Sequence, residues 1–271
     1  QSMRYKMKRS LIAASALLMG SAFAQTNVNE MTTLSNVLEN LEVEVEIANQ
    51  ITRDKKNEVN GTNHKMVPEI SYKMNDTYTA IVNTTVALSN PDEGESNTDL
   101  TNVEFGMERK LPAFMKNSKL KAGLFLSYET LSEKREDNLY DGALTLELEY
   151  KQTLTNNMKL KVKPAVVNYI RTAGSEGIAT NAVKLEVNPQ LSLMKNVGLE
   201  LPVKLSKKYY TGDKDSKFKM NFIPTAVFSV AKNLDLELYN SMNISKSGDD
   251  QFFADDIMKR SLYGANVIFS L

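Results

Sequence analysis

From Leu144 to Ile170 the chain reads LTLELEYKQTLTNNMKLKVKPAVVNYI, and on both sides of TLTNN charged and apolar residues alternate. Leu144, Leu146, Leu148 and Tyr150 share one parity with Met158, Leu160, Val162 and Val166. Glu147, Glu149, Lys159, Lys161 and Lys163 hold the other. Successive side chains on a strand point to opposite faces, so the stretch is a hairpin with one apolar and one charged face. The fold then turns on which face is outward. In a soluble sheet the leucines meet a core and the charges meet water. In a membrane barrel the leucines meet lipid and the charges line the interior.

The same period recurs from Leu41 to the last residue, in twelve segments. The first carries Leu41, Val43, Val45 and Ile47; the last carries Tyr263, Ala265, Val267, Phe269 and Leu271. Their connections alternate between two kinds. One is mostly short: residues 75–77, 153–157, 194–196 and 231–233, with a longer member at 111–119. In the three-residue turns an Asn is expected to take the left-handed conformation. The other kind is longer and polar: 52–63, 89–99, 132–139, 171–181, 210–216 and 245–259. Short turns at one end, long loops at the other and an even strand number fit a closed transmembrane barrel. Five prolines lie inside strands: Pro68, Pro164, Pro189 and Pro224 on the apolar parity and Pro202 on the other. Proline offers no N–H to a ladder, so local bulges are expected there.

Pairing the quoted hairpin about Thr155 sets Glu149 against Lys161, Glu147 against Lys163 and Leu148 against Val162. Centring the next hairpin on Met194–Asn196 sets Glu186 against Lys204. Such pairs contribute about 0.2–1 kcal/mol each, so they fix register more than stability.

The N-terminus bears on compartment. Arg4, Lys6, Lys8 and Arg9 precede an apolar run, Leu11–Met19, and then Ala22-Phe23-Ala24. That is the three-part pattern of a secretory signal peptide, with residues 1–24 removed before Gln25. The apolar run falls short of the roughly 20 residues a spanning helix needs. Residues 1–24 hold four basic and no acidic residues, so the 33/33 balance of the whole chain becomes a net −4. A general nucleic-acid binder would be basic. With no cysteine there is no disulfide framework, thiolate metal site or lipid-modified cysteine.

The chain closes on YGANVIFSL, with Val267, Phe269 and Leu271 on one face. This ending resembles the C-terminal strand signal of bacterial outer-membrane β-barrel proteins. The resemblance implies an all-β fold: a twelve-stranded antiparallel transmembrane β-barrel over residues 41–271, with both termini in the periplasm. It also implies outer-membrane lipid as surroundings and a barrel-assembly machinery that recognises the last strand. Tyr72, Tyr78, Tyr150 and Phe228 would form an aromatic girdle at the short-turn rim, and Tyr128, Tyr140, Tyr209, Phe218 and Tyr263 one at the long-loop rim.

In such a barrel the charged parity lines the lumen: Glu42, Glu44, Glu46, Glu104, Lys121, Glu147, Glu149, Lys159, Lys161, Lys163, Glu186, Lys204, Lys219, Asp235 and Glu237. A wall of both signs suits porin-like passive diffusion of small hydrophilic solutes with weak charge preference. The alternative is a closed structural or adhesive barrel whose charges pair and fill the lumen. Some barrels of this class are proteases, phospholipases or lipid A deacylases that use a histidine. Here the one histidine is His64, in NGTNHK, with Asp249, Asp250, Asp255 and Asp256 in the last long loop. General-base work needs a fixed pair within hydrogen-bond reach, so a solvated loop histidine is expected instead. The acidic loops lack the spacing of an EF-hand, and no cofactor is expected. In residues 25–40 Met31, Leu34 and Leu38 recur, with Leu41, at helical spacing, capped by Thr33 or Ser35. This periplasmic segment is either a frayed tail or a short helix that narrows the pore.

Overall fold

A computed structural model describes residues 39–53, 59–88, 98–130, 140–171, 179–211, 216–245 and 261–270. Leu41–Leu271 forms one compact unit. The signal-peptide reading and nearly all of the 25–40 segment lie outside the described residues, as do Leu271, the four loop aspartates and most of the long connections.

Alternation alone produces the elements. They are β1 (Leu41–Arg53), β2 (Val59–Lys73), β3 (Tyr78–Leu88), β4 (Thr98–Leu111), β5 (Ser118–Glu129), β6 (Tyr140–Thr155), β7 (Met158–Arg171) and β8 (Ala179–Met194). Shorter pieces follow: β9 (Val197–Glu200), β10 (Val203–Tyr210), β11 (Lys217–Phe222), β12 (Thr225–Ala231), β13 (Leu234–Asn243) and β14 (Leu262–Ser270). All pairings are antiparallel, and β1 to β8 each pair with the next strand in sequence. β9 and β10 both lie against β8 and are two parts of one wall strand. β11 and β12 both lie against β13 and form another. β14 pairs with β13 on one side and β1 on the other, Val45 opposite Phe269 and Ile47 opposite Val267. The fourteen pieces are therefore the twelve strands of a closed barrel. Even its shorter strands reach the roughly 9–11 residues a tilted transmembrane strand needs.

Exposure settles the facing of the hairpin. Along β6, Leu144, Leu146 and Leu148 are exposed while the alternating Glu147 and Glu149 are not. The side chain of Glu147 keeps 12% of its surface and Leu146 keeps 57% of its own. Phe105, Met107, Leu124, Leu126, Val166, Val183 and Leu238 are likewise exposed. The buried apolar residues among those described are mostly small, and none is a leucine. A soluble sandwich would bury its leucines first. Here the apolar parity is the outer surface of a transmembrane wall.

The short connections are tighter than the spacing predicts. β6 and β7 are joined by Asn156-Asn157 alone, β8 and β9 by Lys195-Asn196, and β12 and β13 by Lys232-Asn233. Each two-residue turn follows a register shift, at Thr153/Thr155, Ser192/Met194 and Ser229/Ala231. The bulge supplies the twist that a left-handed turn residue would otherwise give. The expected left-handed Asn in these turns is not found. Among the described residues the non-glycine with positive φ is Asn117, at 61°, in the longer 112–117 connection. At 74–77 the Asn75 carboxamide accepts the N–H groups of Thr77 and Tyr78, both at 2.8 Å.

With the turn at Asn156-Asn157 and a one-residue bulge at Thr153/Thr155, the β6–β7 register lies two residues from the expected one. Tyr150, not Leu148, faces Val162, and Glu147 faces Ala165. Glu149 does not meet Lys161; it lies opposite Lys121 of β5 and pairs with Lys151 at 3.0 Å. Glu147 still reaches Lys163 diagonally, at 2.9 Å. Glu186 faces Lys204 as expected.

The prolines behave differently from the expected bulges. Pro68, Pro164 and Pro189 stay inside their strands with no change of register. Pro202 and Pro224 interrupt theirs, dividing β9 from β10 and β11 from β12. Pro189, Pro202 and Pro224 lie side by side across three neighbouring strands. Their carbonyls accept from Leu201, Ile223 and Asn240, at 3.0, 2.9 and 3.1 Å. A proline thus loses its donor but keeps its acceptor, and the wall is weakened without opening an edge.

Candidate functional site: the barrel interior

Every residue of the charged set lies on the inward parity of its strand. Glu42, Glu44 and Glu46 project from β1, Glu104 from β4, Lys121 from β5, and Glu147 and Glu149 from β6. Lys159, Lys161 and Lys163 project from β7, Glu186 from β8, Lys204 from β10, Lys219 from β11, and Asp235 and Glu237 from β13. The interior is tied together by polar contacts. Lys121 meets Glu108 at 2.7 Å. Glu186 accepts from both Lys161 and Lys204, at 3.0 and 3.4 Å. Asn83 donates to Glu104, Asn188 and Gln190 donate to Glu200, and Asn266 donates to Glu237. Glu46 on β1 interacts with Lys204 on β10, and Glu69 on β2 with Lys163 on β7, so strands remote in the sheet face one another across a shared interior.

The two signs are unevenly spread. Carboxylates dominate β1, β4 and β6: Glu42, Glu44, Glu46, Glu104, Glu108, Glu147 and Glu149. Ammonium groups dominate β7, β10 and β11: Lys159, Lys161, Lys163, Lys204, Lys208, Lys217 and Lys219. The Glu147–Lys163 pair marks one border between the arcs. Fields of this kind act most strongly where low-dielectric walls confine them.

Several inward residues lie beyond the sequence-derived set. Glu69, Glu108, Lys184, Glu200, Lys208 and Lys217 share the charged parity and were legible by counting in twos. Phe125 and Tyr239 were not. Phe125 is 8% exposed, with its ring over Gly106 and Gly123 of its own and the neighbouring strand. Tyr239 lies over Gly264 and accepts a hydrogen bond from Gln50 at 2.8 Å. Their signal is a glycine at the paired position, which leaves room for a ring laid along the wall.

His64 is not in a loop. It belongs to β2, on the outward parity with Met66, and its Nδ1 lies 2.6 Å from Asn49 Oδ1. The aspartates proposed as its partners lie outside the described residues. Of the girdle residues, Tyr128, Tyr209, Phe218 and Tyr263 are exposed outward near the long-loop rim. At the short-turn rim Arg109 lies over the Tyr78 ring and Phe114 stacks on Tyr150, 5.1 Å between centroids. Tyr140's side chain is outside the described set.

A closed antiparallel wall, apolar outside and charged inside, defines a transmembrane β-barrel of the outer-membrane class. Solved structures agree on the fold. An outer-membrane channel from Pseudomonas putida F1 superposes with a TM-score of 0.59 at 10% identity, over 85% of this chain and 95% of that one. The NanC porin gives 0.54 at 7% identity, over 84% and 100%, and the KdgM porin 0.51 at 10%, over 84% and 99%. No family model matches the sequence, and no curated protein is similar to it.

Proposed function

We propose that this protein is an outer-membrane channel for passive diffusion of small hydrophilic solutes. The observation that carries the reading is the closed wall with its charged parity turned inward. A closed barrel needs no inner charges for stability, since each pair adds under about 1 kcal/mol. More than a dozen of them make the interior a wet path. The fold shared with porins supports the same reading.

The remaining assignments complete it. Residues 1–24 act as the signal peptide, residues 25–40 stay on the periplasmic side, and the short turns face the periplasm. The last strand is what the barrel-assembly machinery recognises, and the side chains of the charged set are the pore lining. Solutes of either sign pass, because the lining is mixed. The test is a planar-bilayer recording of the refolded protein together with liposome swelling in small sugars. Stable conductance steps and swelling support the channel.

One observation favours a closed barrel instead. Ala143, Val167, Tyr169, Ala179 and Ala182 form a buried apolar cluster on the inner face, with Tyr210 packed against it. Silent bilayers from a barrel that still resists unheated electrophoresis would make this the better reading.

A further inference from the structure

The register connects inward residues into lateral rows, and one row is unlike the others. Ile81 faces Gly106, Gly106 faces Phe125, Phe125 faces Thr145, Thr145 faces Val167 and Val167 faces Ala182. Through six consecutive strands this row carries no charge. Ile81 is 9% exposed, Val167 2% and Ala182 0%, although all point inward. The rows on either side carry charge. One holds Glu44, Glu69, Asn83, Glu104 and Ser127 before it turns apolar at Ala143 and Tyr169; the other holds Glu108, Gly123, Glu147, Ala165 and Lys184.

Phe125 is the large side chain of the row, and its seat is built for it. A Cβ on Gly106 would lie 2.2 Å from the ring, and one on Gly123 would lie 2.4 Å from it. The ring therefore rests against the wall and has room to move only toward the axis. Around it is a recess of about 200 Å³ lined by Glu69, Glu104, Glu108, Glu147 and Lys163, with Ile81 and Phe125 at its base. Lys163 is engaged by Glu147 and Glu108 by Lys121. Glu69 has no ion pair among the described residues, and the charges acting on it are the carboxylates of Glu44, Glu104 and Glu108 and the ammonium group of Lys163.

We infer that this belt is the constriction of the pore, with Phe125 its narrowing element, and that it favours cationic over anionic solutes. The inference rests on the channel reading and adds where the passage is controlled and for which solutes. A solute held near the ring is close to four carboxylates and one ammonium group already paired. A cation or an organic amine gains there, and can also lie over the aromatic face. Apolar wall segments at narrow points are effective barriers, since water and ions give up hydration to pass them.

The experiment compares wild type, Phe125→Ala, Gly106→Ala and Glu69→Gln in planar bilayers under a KCl gradient, each checked for heat-modifiable migration. Phe125→Ala should raise the conductance step, because the apolar constriction is widened. Gly106→Ala should lower it, because the displaced ring moves toward the axis. The wild-type reversal potential should show cation preference, and both Phe125→Ala and Glu69→Gln should move it toward zero. An unchanged step in folded Phe125→Ala, or anion preference in the wild type, overturns the inference while leaving a channel. A silent wild type overturns the channel reading itself, and the inference with it. Should Phe125→Ala fail to fold, Phe125→Leu and Glu69→Gln carry the same comparison.

Discussion

The wall from β5 to β8 and the wall from β9 to β13 are built from one alternation and end up differently. The first is four strands of 12–16 residues, paired nearly end to end. The second contains pieces of four, eight, six and seven residues, and β11 meets β13 at only Asn221–Phe222. Its outer face carries an apolar groove lined by Leu199, Pro224, Ala226, Leu238, Asn240 and Tyr263, among others. Composition does not separate the halves, because Pro164 and Pro189 sit in the regular one. Position does. Pro202 and Pro224 fall on neighbouring strands beside Pro189, so the missing donors are adjacent and the ladder lapses across three strands together. One absent N–H is absorbed; a row of them is a seam.

The strongest way to break this comparison is to put a charge on the lipid face of each half. Leu146→Lys, mid-strand in β6, should cost about 2–4 kcal/mol, the range for a lysine near the bilayer centre. Leu238→Lys should cost about 1 kcal/mol less, since Asn240 two residues on offers a polar neighbour and the groove leaves room to snorkel. Urea unfolding in lipid vesicles reads both, and equal losses would remove the distinction. A smaller effect is expected from the seam. Amide exchange should be faster in β9–β12 than in β6–β7, and Pro202→Ala should slow it in β9–β10 by restoring a donor. That gain should be on the order of 1 kcal/mol, one net backbone hydrogen bond. Uniform protection around the barrel would show the seam to be as firm as the rest.

Removing Lys163 sharpens the regular side. Lys163→Met leaves Glu147 without its 2.9 Å partner and should cost about 0.5–1 kcal/mol, as for partly solvated pairs. The smallest effect lies at the rim. A hydrogen bond from Lys73, then its charge, holds the Asp76 carboxyl below the ordinary aspartate range. A depressed carboxylate stabilises the turn above its unfolded pKa, and the contribution is lost as pH falls through the folded value. In Lys73→Met the Asp76 titration, followed by NMR, should move up to the ordinary range. No change would mean that the 2.8 Å pair is absent in solution.

How much of this was legible follows from what alternation encodes. It names strands, their number and their two faces, because the period is a property of the backbone. It does not name register, which the Asn156-Asn157 turn and the Thr153 bulge together set two residues from the expected one. It also misplaces a residue whose chemistry disagrees with its face. Phe125 sits between Leu124 and Leu126, so the run GLFLSY reads as uniformly apolar, and only the paired glycines mark the ring as inward. Pro68 and Pro224 share the apolar parity, yet one stays inside its strand and the other interrupts it; their different outcomes depend on what the neighbouring strands carry at the same level. His64 read as a loop residue because the polar NGTNHK hides the continuation of β2.

The closure of β1 on β14 has a kinetic meaning. Glu44 pairs with Ser270 and Ile51 with Tyr263, partners over two hundred residues apart in the chain. Every other junction between wall strands joins near neighbours in sequence, so eleven of the junctions can zip locally and the twelfth is of very high contact order. Loop-closure entropy opposes it until the sheet has curled enough to bring its ends together. Until then both terminal strands present unpaired edges, the form of a sheet most prone to joining other chains. The slow step of folding should therefore be the last seam, and substitutions in β1 or β14 should slow assembly out of proportion to their effect on the finished barrel.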